Sequence, residues 1–236
     1  MGKGFLAQNA ARVSKEQTKL GLILCVCMAV AFAGLMIIDM VSDEDVLSAL
    51  PVPAYAFIIV FLLLLLLLLI QNFRNKQRAY DNLIVHGGET SKEETGHAID
   101  GEAAQGILVD EYADYGKQRG DRFVLLPSYL LLCTGRNVTV IPVGKIFWVC
   151  AQVGIKGHSD YIVQLRVFAE NKLYGVIGAD VNHFKMIEDK IQRYIPNIFN
   201  RYDTFDLSHK LEEVFTKDYS HFLEFYRQHK QEFEAE

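Results

Sequence analysis

A run of eight leucines lies between Phe61 and Ile70, and it constrains the fold of this chain more than any other sequence feature. The run belongs to residues 52–70, which contain no charged side chain. A helix rises about 1.5 Å per residue, so a segment of this length spans the roughly 30 Å hydrocarbon core of a bilayer. The segment is apolar on every side, unlike a water-soluble helix. The sequence therefore predicts a transmembrane helix over residues 52–70.

Residues 20–38 form a second uncharged segment that is long enough to cross a bilayer. Lys and Arg occur in residues 1–19 and just after residue 70, whereas residues 39–51 contain four acidic side chains and neither Lys nor Arg. By the positive-inside rule, residues 1–19 and the C-terminal part are cytoplasmic, and residues 39–51 are an extracytoplasmic acidic loop. We therefore expect a multi-pass protein of the cell membrane, with two spans in a hairpin, both termini cytoplasmic and the lipid bilayer as its partner.

The first apolar segment allows two further interpretations. Residues 1–33 have the basic start, apolar core and small residues of a cleavable secretory segment, which is an alternative to a first span. Small residues also recur every four positions and so form a stripe on one side of the helix: Gly21, Cys25, Ala29 and Ala33. Such a stripe lets another helix approach closely. Its partner is either the second span or another protomer, so a homo-oligomer is one expectation.

The sequence changes character after the second span. Residues 71–103 are rich in acidic side chains and glycine, which predicts a flexible linker. Residues 104–196 contain short apolar and aromatic runs separated by turn residues, which predicts an antiparallel meander. The runs lie at residues 122–126, 129–134, 138–141, 143–153, 161–168 and 173–177.

A helix is predicted after the last strand, with Asp180 or Asn182 as its cap and Pro196 as its end. Residues 104–196 therefore predict a mainly antiparallel β barrel or sandwich closed by a helix, so that the whole chain is a transmembrane hairpin plus an α+β domain. Residues 197–236 show an apolar stripe at helical spacing. This amphipathic helix region either packs back on the barrel or binds a partner.

The segments FVLLPSYLLL and VTVIPVGKIFWV, followed by a hairpin and a helix, resemble the pleckstrin-homology-like (PH-like) domains of membrane-anchored bacterial proteins. The resemblance covers residues 122–195 and implies a PH-like barrel next to two transmembrane helices. Pleckstrin-homology domains that bind phosphoinositides place Lys and Arg in the first loop between strands, where these cations meet phosphate. Lys117, Arg119 and Arg122 are the comparable cluster here. The resemblance makes them candidate contacts for an anionic headgroup, and solvated surface charge is the alternative.

Motifs for catalysis are missing from the sequence. The seven histidines are scattered, with neither an HExxH pair nor a cysteine at ligand spacing, so no metal ligand is predicted. No Gly-rich phosphate loop or nucleophile elbow is present, and we predict no catalytic residue and no cofactor. The net charge of −5, without a basic stripe, argues against nucleic acid as a partner. We expect a non-enzymatic binding or scaffolding module with an unknown protein partner. The alternative is a ligand-sensing membrane effector whose transmembrane helices oligomerise.

Overall fold

The computed structural model describes most of the chain. The described residues are 4–42, 59–61, 63, 66, 67, 70, 79–88, 90–114, 120–156, 160–195 and 205–234. Two compact units are present, Met1–Asp81 and Asn82–Glu236.

The first unit contains helix α1, Phe5–Ser42. Residues 59–61, 63, 66, 67 and 70 are also helical. Among all described residues, no helix is both long enough and apolar enough to cross a bilayer. The predicted transmembrane hairpin is therefore wrong, and so is the predicted location as a two-span protein of the cell membrane with both termini in the cytoplasm.

The first predicted span is not a separate helix. Residues 20–38 continue α1 from a polar first half, so α1 is not apolar along its whole length. In that half Asn9 and Ser14 are buried, and the Thr18 hydroxyl donates a 2.8 Å hydrogen bond to the Ser14 carbonyl. Most of residues 52–70 and of the predicted loop at residues 39–51 lie outside the described residues.

The second unit is an α+β structure with two sheets. The first sheet has the order β1-β5-β4-β3-β2, and the second has the order β6-β7-β8. The strands are β1 Leu83–Val85, β2 Val109–Tyr112, β3 Arg122–Leu125, β4 Tyr129–Thr134, β5 Asn137–Pro142, β6 Ile146–Lys156, β7 Asp160–Ala169 and β8 Lys172–Gly178. Helix α2 is Lys92–Gln105, α3 is Val181–Gln192, α4 is Phe205–Lys217 and α5 is Tyr219–Glu234.

The first sheet is mixed rather than antiparallel throughout. Strands β2 to β5 form an antiparallel meander, as Phe123↔Leu132 and Leu131↔Val140 show. Strand β1 instead pairs parallel with β5, with Leu83 opposite Val138. The sequence prediction of a mainly antiparallel domain beginning at residue 104 did not include this strand.

Residues 71–103 contain ordered elements where the sequence predicted a flexible linker. Strand β1 lies there, and α2 begins after Ser91, whose hydroxyl oxygen accepts a 3.1 Å hydrogen bond from the backbone N–H of Glu94. This cap satisfies one of the unpaired donors at the start of the helix. Ile99 of α2 is fully buried. Burial of a few apolar side chains thus orders a segment whose average composition is polar.

Both faces of the first sheet are covered. Phe123, Leu130 and Ile141 face the core between the two sheets. Because side chains alternate along a strand, their buried neighbours such as Leu131 lie on the opposite face. Helix α2 crosses that face, since it contacts β1 at one edge and Glu102 accepts a 3.0 Å hydrogen bond from the backbone N–H of the Ser128 turn.

The second sheet also has two covered faces. Helix α3 closes the core between the sheets through Phe184, Ile187 and Ile191, and its N-cap is Asp180. The other face is covered by α4 and α5, in a cluster of Trp148, Cys150, Phe168, Leu211, Phe215 and Phe222. The amphipathic C-terminal region is therefore two helices, separated at Asp218, whose described apolar side chains pack on β6 and β7.

Candidate functional site

The predicted headgroup cluster is only partly described. Lys117 and Arg119 lie outside the described residues. Arg122 begins β3 and forms a two-pronged ion pair with Asp110, while its guanidinium carbon lies 5.5 Å from the centre of the Tyr112 ring. Burial by itself lowers the pKa of Arg122, but the hydrogen bond and charge of Asp110 outweigh it, so the pKa is raised. The Arg122 guanidinium therefore contacts Asp110 and Tyr112 of the neighbouring strand β2.

The predicted packing stripe belongs to α1. Gly21 is half-buried, and the side chains of Cys25, Ala29 and Ala33 lie outside what the structure describes. Leu22, Ile23, Val26 and Val30 of the same helix are each more than half exposed. The stripe therefore stays a prediction.

A polar cleft of about 360 Å³ opens where β1 of the first sheet meets the β7–β8 hairpin of the second. Its lining comes from three places in the chain: the end of β1, the short 3-10 turn Val143–Lys145 before β6, and the hairpin. The lining residues are Val85, His86, Gly87, Lys145, Glu170, Asn171, Lys172 and Tyr174.

His86 and Tyr174 form the inner wall of the cleft. His86 is buried, with 8% of the residue exposed, and its Nδ1 lies 2.7 Å from the Tyr174 hydroxyl. Burial lowers the pKa of His86, and the positive charge of Lys145 lowers it further. Burial also raises the pKa of Tyr174. At neutral pH both groups are therefore uncharged.

The charges of the cleft lie at its rim. The Lys145 ammonium is 3.2 Å from a carboxylate oxygen of Glu170, in an ion pair whose side chains are both partly exposed. The Lys172 ammonium lies 5.1 Å from the centre of the Tyr174 ring, in a cation–π contact. Two lysines and one glutamate give the cleft a net charge of about +1 while His86 is neutral.

Backbone geometry keeps these groups in place. Asn171 turns the hairpin with φ of +59°, which Asn tolerates better than most residues, and its N–H donates a 3.2 Å hydrogen bond to the Tyr219 hydroxyl. The Glu170 N–H donates to the Lys145 carbonyl at 2.9 Å. Gly87 has φ of +85°, and a Cβ atom there would lie 3.3 Å from the Lys145 ammonium. A larger residue at position 87 would be strained and would crowd that ammonium.

Comparison with protein-family models, with curated proteins and with solved structures finds no match for this chain.

Sequence reasoning missed the cleft residues. Glu170, Asn171 and Lys172 were recognisable as a hairpin turn and His86-Gly87-Gly88 as a break, but nothing in the order of residues joins the two segments. The parallel pairing of β1 with β5 brings them together. Within the described ranges, no group of three or more His, Cys, Asp or Glu side chains could hold a metal ion. The cleft can donate hydrogen bonds and attract negative charge.

Proposed function

We propose that the unit Asn82–Glu236 is a non-enzymatic binding module that receives a small ligand in the cleft between β1 and the β7–β8 hairpin. The observation that carries this proposal is the cleft itself: about 360 Å³ of space lined by polar and charged side chains. This volume lies at the lower end of the range for small-molecule pockets. A ligand that fills it would contact both sheets.

A PH-like architecture for this unit is part of the proposal. In support, the antiparallel meander β2–β5 is followed by the three-stranded sheet β6–β8 and then by α3, the order of elements that the sequence resemblance implies. Strand β1 and helix α2 precede this core as additional elements. They supply His86 and Gly87, so the ligand site depends on a part of the fold that the resemblance does not include.

The chemistry of the cleft favours binding over catalysis. None of the described residues that line it is a Ser, Thr or Cys, the usual nucleophiles next to a histidine. The Nδ1 of His86 is already engaged by the Tyr174 hydroxyl. A polar cleft of this kind favours the binding of a small ligand over a purely scaffolding role.

The proposal is tested by equilibrium dialysis of the full chain against pools of anionic, neutral and cationic small molecules, with retained compounds identified by mass spectrometry. The variant Lys172→Trp places a large side chain at the cleft, whereas Ile177→Trp places one on the same strand at a side chain that is 62% exposed and outside the cleft. We expect the wild type and Ile177→Trp to retain a compound that Lys172→Trp does not. Retention of no compound by the wild type, or the same retention by all three proteins, would refute the proposal.

A further inference from the structure

We infer that the cleft binds the anionic oxygen group of its ligand, a phosphate or a carboxylate, between the ammonium groups of Lys145 and Lys172, and that His86 takes up one proton from water when the anion binds. This inference rests on the proposed function, because it names the ligand class of the same cleft.

The charge balance of the cleft is the first argument. Lys145 and Lys172 lie on different elements, the 3-10 turn and β8, and both line the same space. Glu170 balances only one of the two lysines, and its ion pair with Lys145 leaves a third of the lysine side chain exposed. Partly exposed ion pairs are weak, since water screens them. An incoming anion can therefore replace Glu170 on Lys145, while Lys172 supplies a second charge-assisted contact.

The hydrogen bond between His86 and Tyr174 is the second argument. A neutral histidine with its hydrogen on Nε2 uses Nδ1 to accept the hydrogen of the Tyr174 hydroxyl. If the ring gains a proton at Nδ1, this N–H donates to the Tyr174 oxygen instead, and the Tyr174 O–H no longer points at His86. The O–H can then rotate toward the cleft and donate to the anion. The neutral pair with its hydrogen on Nε2 offers no such donor.

The surroundings of His86 give the sign of the proton linkage. The charged groups that face the ring are Lys145 on the 3-10 turn, Glu170 on the hairpin and Lys172 on β8, and Tyr174 of β8 is the other titratable neighbour. Burial is the largest cause that lowers the pKa of His86 in the empty cleft, and the positive charge of Lys145 is the next. The negative charge of Glu170 raises this pKa. A bound anion offsets the lysine charges and raises this pKa. At a pH between the pKa of His86 in the empty cleft and its higher pKa in the complex, binding of the anion takes up a proton. The affinity for the anion therefore increases as the pH falls.

The test uses the full chain with sulfate, methyl phosphate and acetate as probes, each compared with chloride at equal ionic strength. Sulfate is informative because it does not itself titrate between pH 5 and 8. The resonances of His86, assigned with a His86→Gln variant, report its pKa with and without each anion. We expect sulfate and methyl phosphate to raise the pKa of His86. Acetate distinguishes a site that accepts carboxylates from one that accepts only tetrahedral oxyanions.

Substitutions at the rim should act in opposite directions. Lys172→Gln removes one charge-assisted contact and should weaken sulfate binding about tenfold. Lys217→Gln is the matched control, because Lys217 is 74% exposed on α4 and lies outside the cleft. Glu170→Gln removes the competitor of the anion and should strengthen binding about threefold or more. A gain in affinity cannot arise from misfolding, so this variant keeps the test decisive if Lys172→Gln is unstable.

The outcomes separate this inference from the proposed function. Binding of a neutral or cationic compound that Lys172→Trp abolishes, without any effect of sulfate, methyl phosphate or acetate on His86, would overturn the inference and leave the binding module intact. If the protein retains no compound in dialysis and none of the three anions changes the pKa of His86, both the inference and the proposed function are overturned. Sulfate binding that is equal at pH 5.5 and pH 7.5 would overturn the proton uptake at His86.

Discussion

Replacement of Phe222 by alanine should remove much of the contact between α5 and the second sheet. Phe222 is fully buried, and its ring centre lies 4.8 Å from that of Phe215, 5.8 Å from that of Phe147 and 6.1 Å from that of Phe168. Truncation of a buried Phe to Ala typically costs about 3–5 kcal/mol, because burial is lost and a cavity remains. For a unit of this size, 1 kcal/mol corresponds to roughly 2–4 °C in Tm. We therefore expect Phe222→Ala to lower Tm by about 6–20 °C.

The assay uses the single tryptophan of the chain. Trp148 is 1% exposed and belongs to the same cluster under α4 and α5, so its fluorescence reports this contact directly. Circular dichroism at the helical bands reports the whole chain in the same urea titration. The control is Tyr194→Ala, an aromatic residue that is 51% exposed, and we expect it to change the free energy of unfolding by less than about 1 kcal/mol. An equally small loss for Phe222→Ala, with unchanged Trp148 fluorescence, would refute the packing of α5 on the sheet.

Three further predictions follow from single contacts in the second unit. Gly178→Ala should lower the free energy of unfolding by about 1–3 kcal/mol, since its Cβ would lie 2.3 Å from the Phe184 ring. Gly144→Ala, which meets nothing within 4 Å, is the control in the same urea titration. Ser91→Ala should cost about 0.5–2 kcal/mol and speed amide hydrogen exchange in the first turn of α2, because the N-cap is lost; unchanged exchange there would contradict this role. Because the pKa of His86 is lowered in the folded chain, its contribution to stability is complete above the unfolded value of about 6.5 and is lost as the pH falls. Urea unfolding in chloride buffer at pH 7.5 and 5.5 should show this loss in the wild type and a smaller one in His86→Gln.

The sequence predicted the local elements of the second unit well. The runs at residues 129–134 and 173–177 coincide with β4 and β8 to within a residue at each end. The predicted cap Asp180 starts α3, and Phe184, Ile187 and Ile191 form its buried side. These features depend on neighbours within a few positions, so turn residues and apolar spacing are sufficient to predict them.

Composition predicts the structure least well where tertiary context decides it. The two apolar segments predict transmembrane spans, but no described helix meets the requirements for crossing a bilayer. Conversely, the polar composition before residue 104 predicts a linker, whereas the structure has β1 and α2 there. In that segment a single fully buried residue such as Ile99 matters more than the average composition, because its burial stabilises the folded segment.

The sequence by itself therefore determined the strands β3 to β8 and the capped helix α3, since the alternation of apolar and turn residues is a local property. Only the tertiary structure decided that β1 joins the first sheet next to β5, and that the C-terminal segment becomes two helices over the second sheet. It also decided the candidate site. His86 and Tyr174 are separated by 88 positions in the chain but by 2.7 Å between their polar atoms, and such a contact depends on strand pairing that no local pattern encodes.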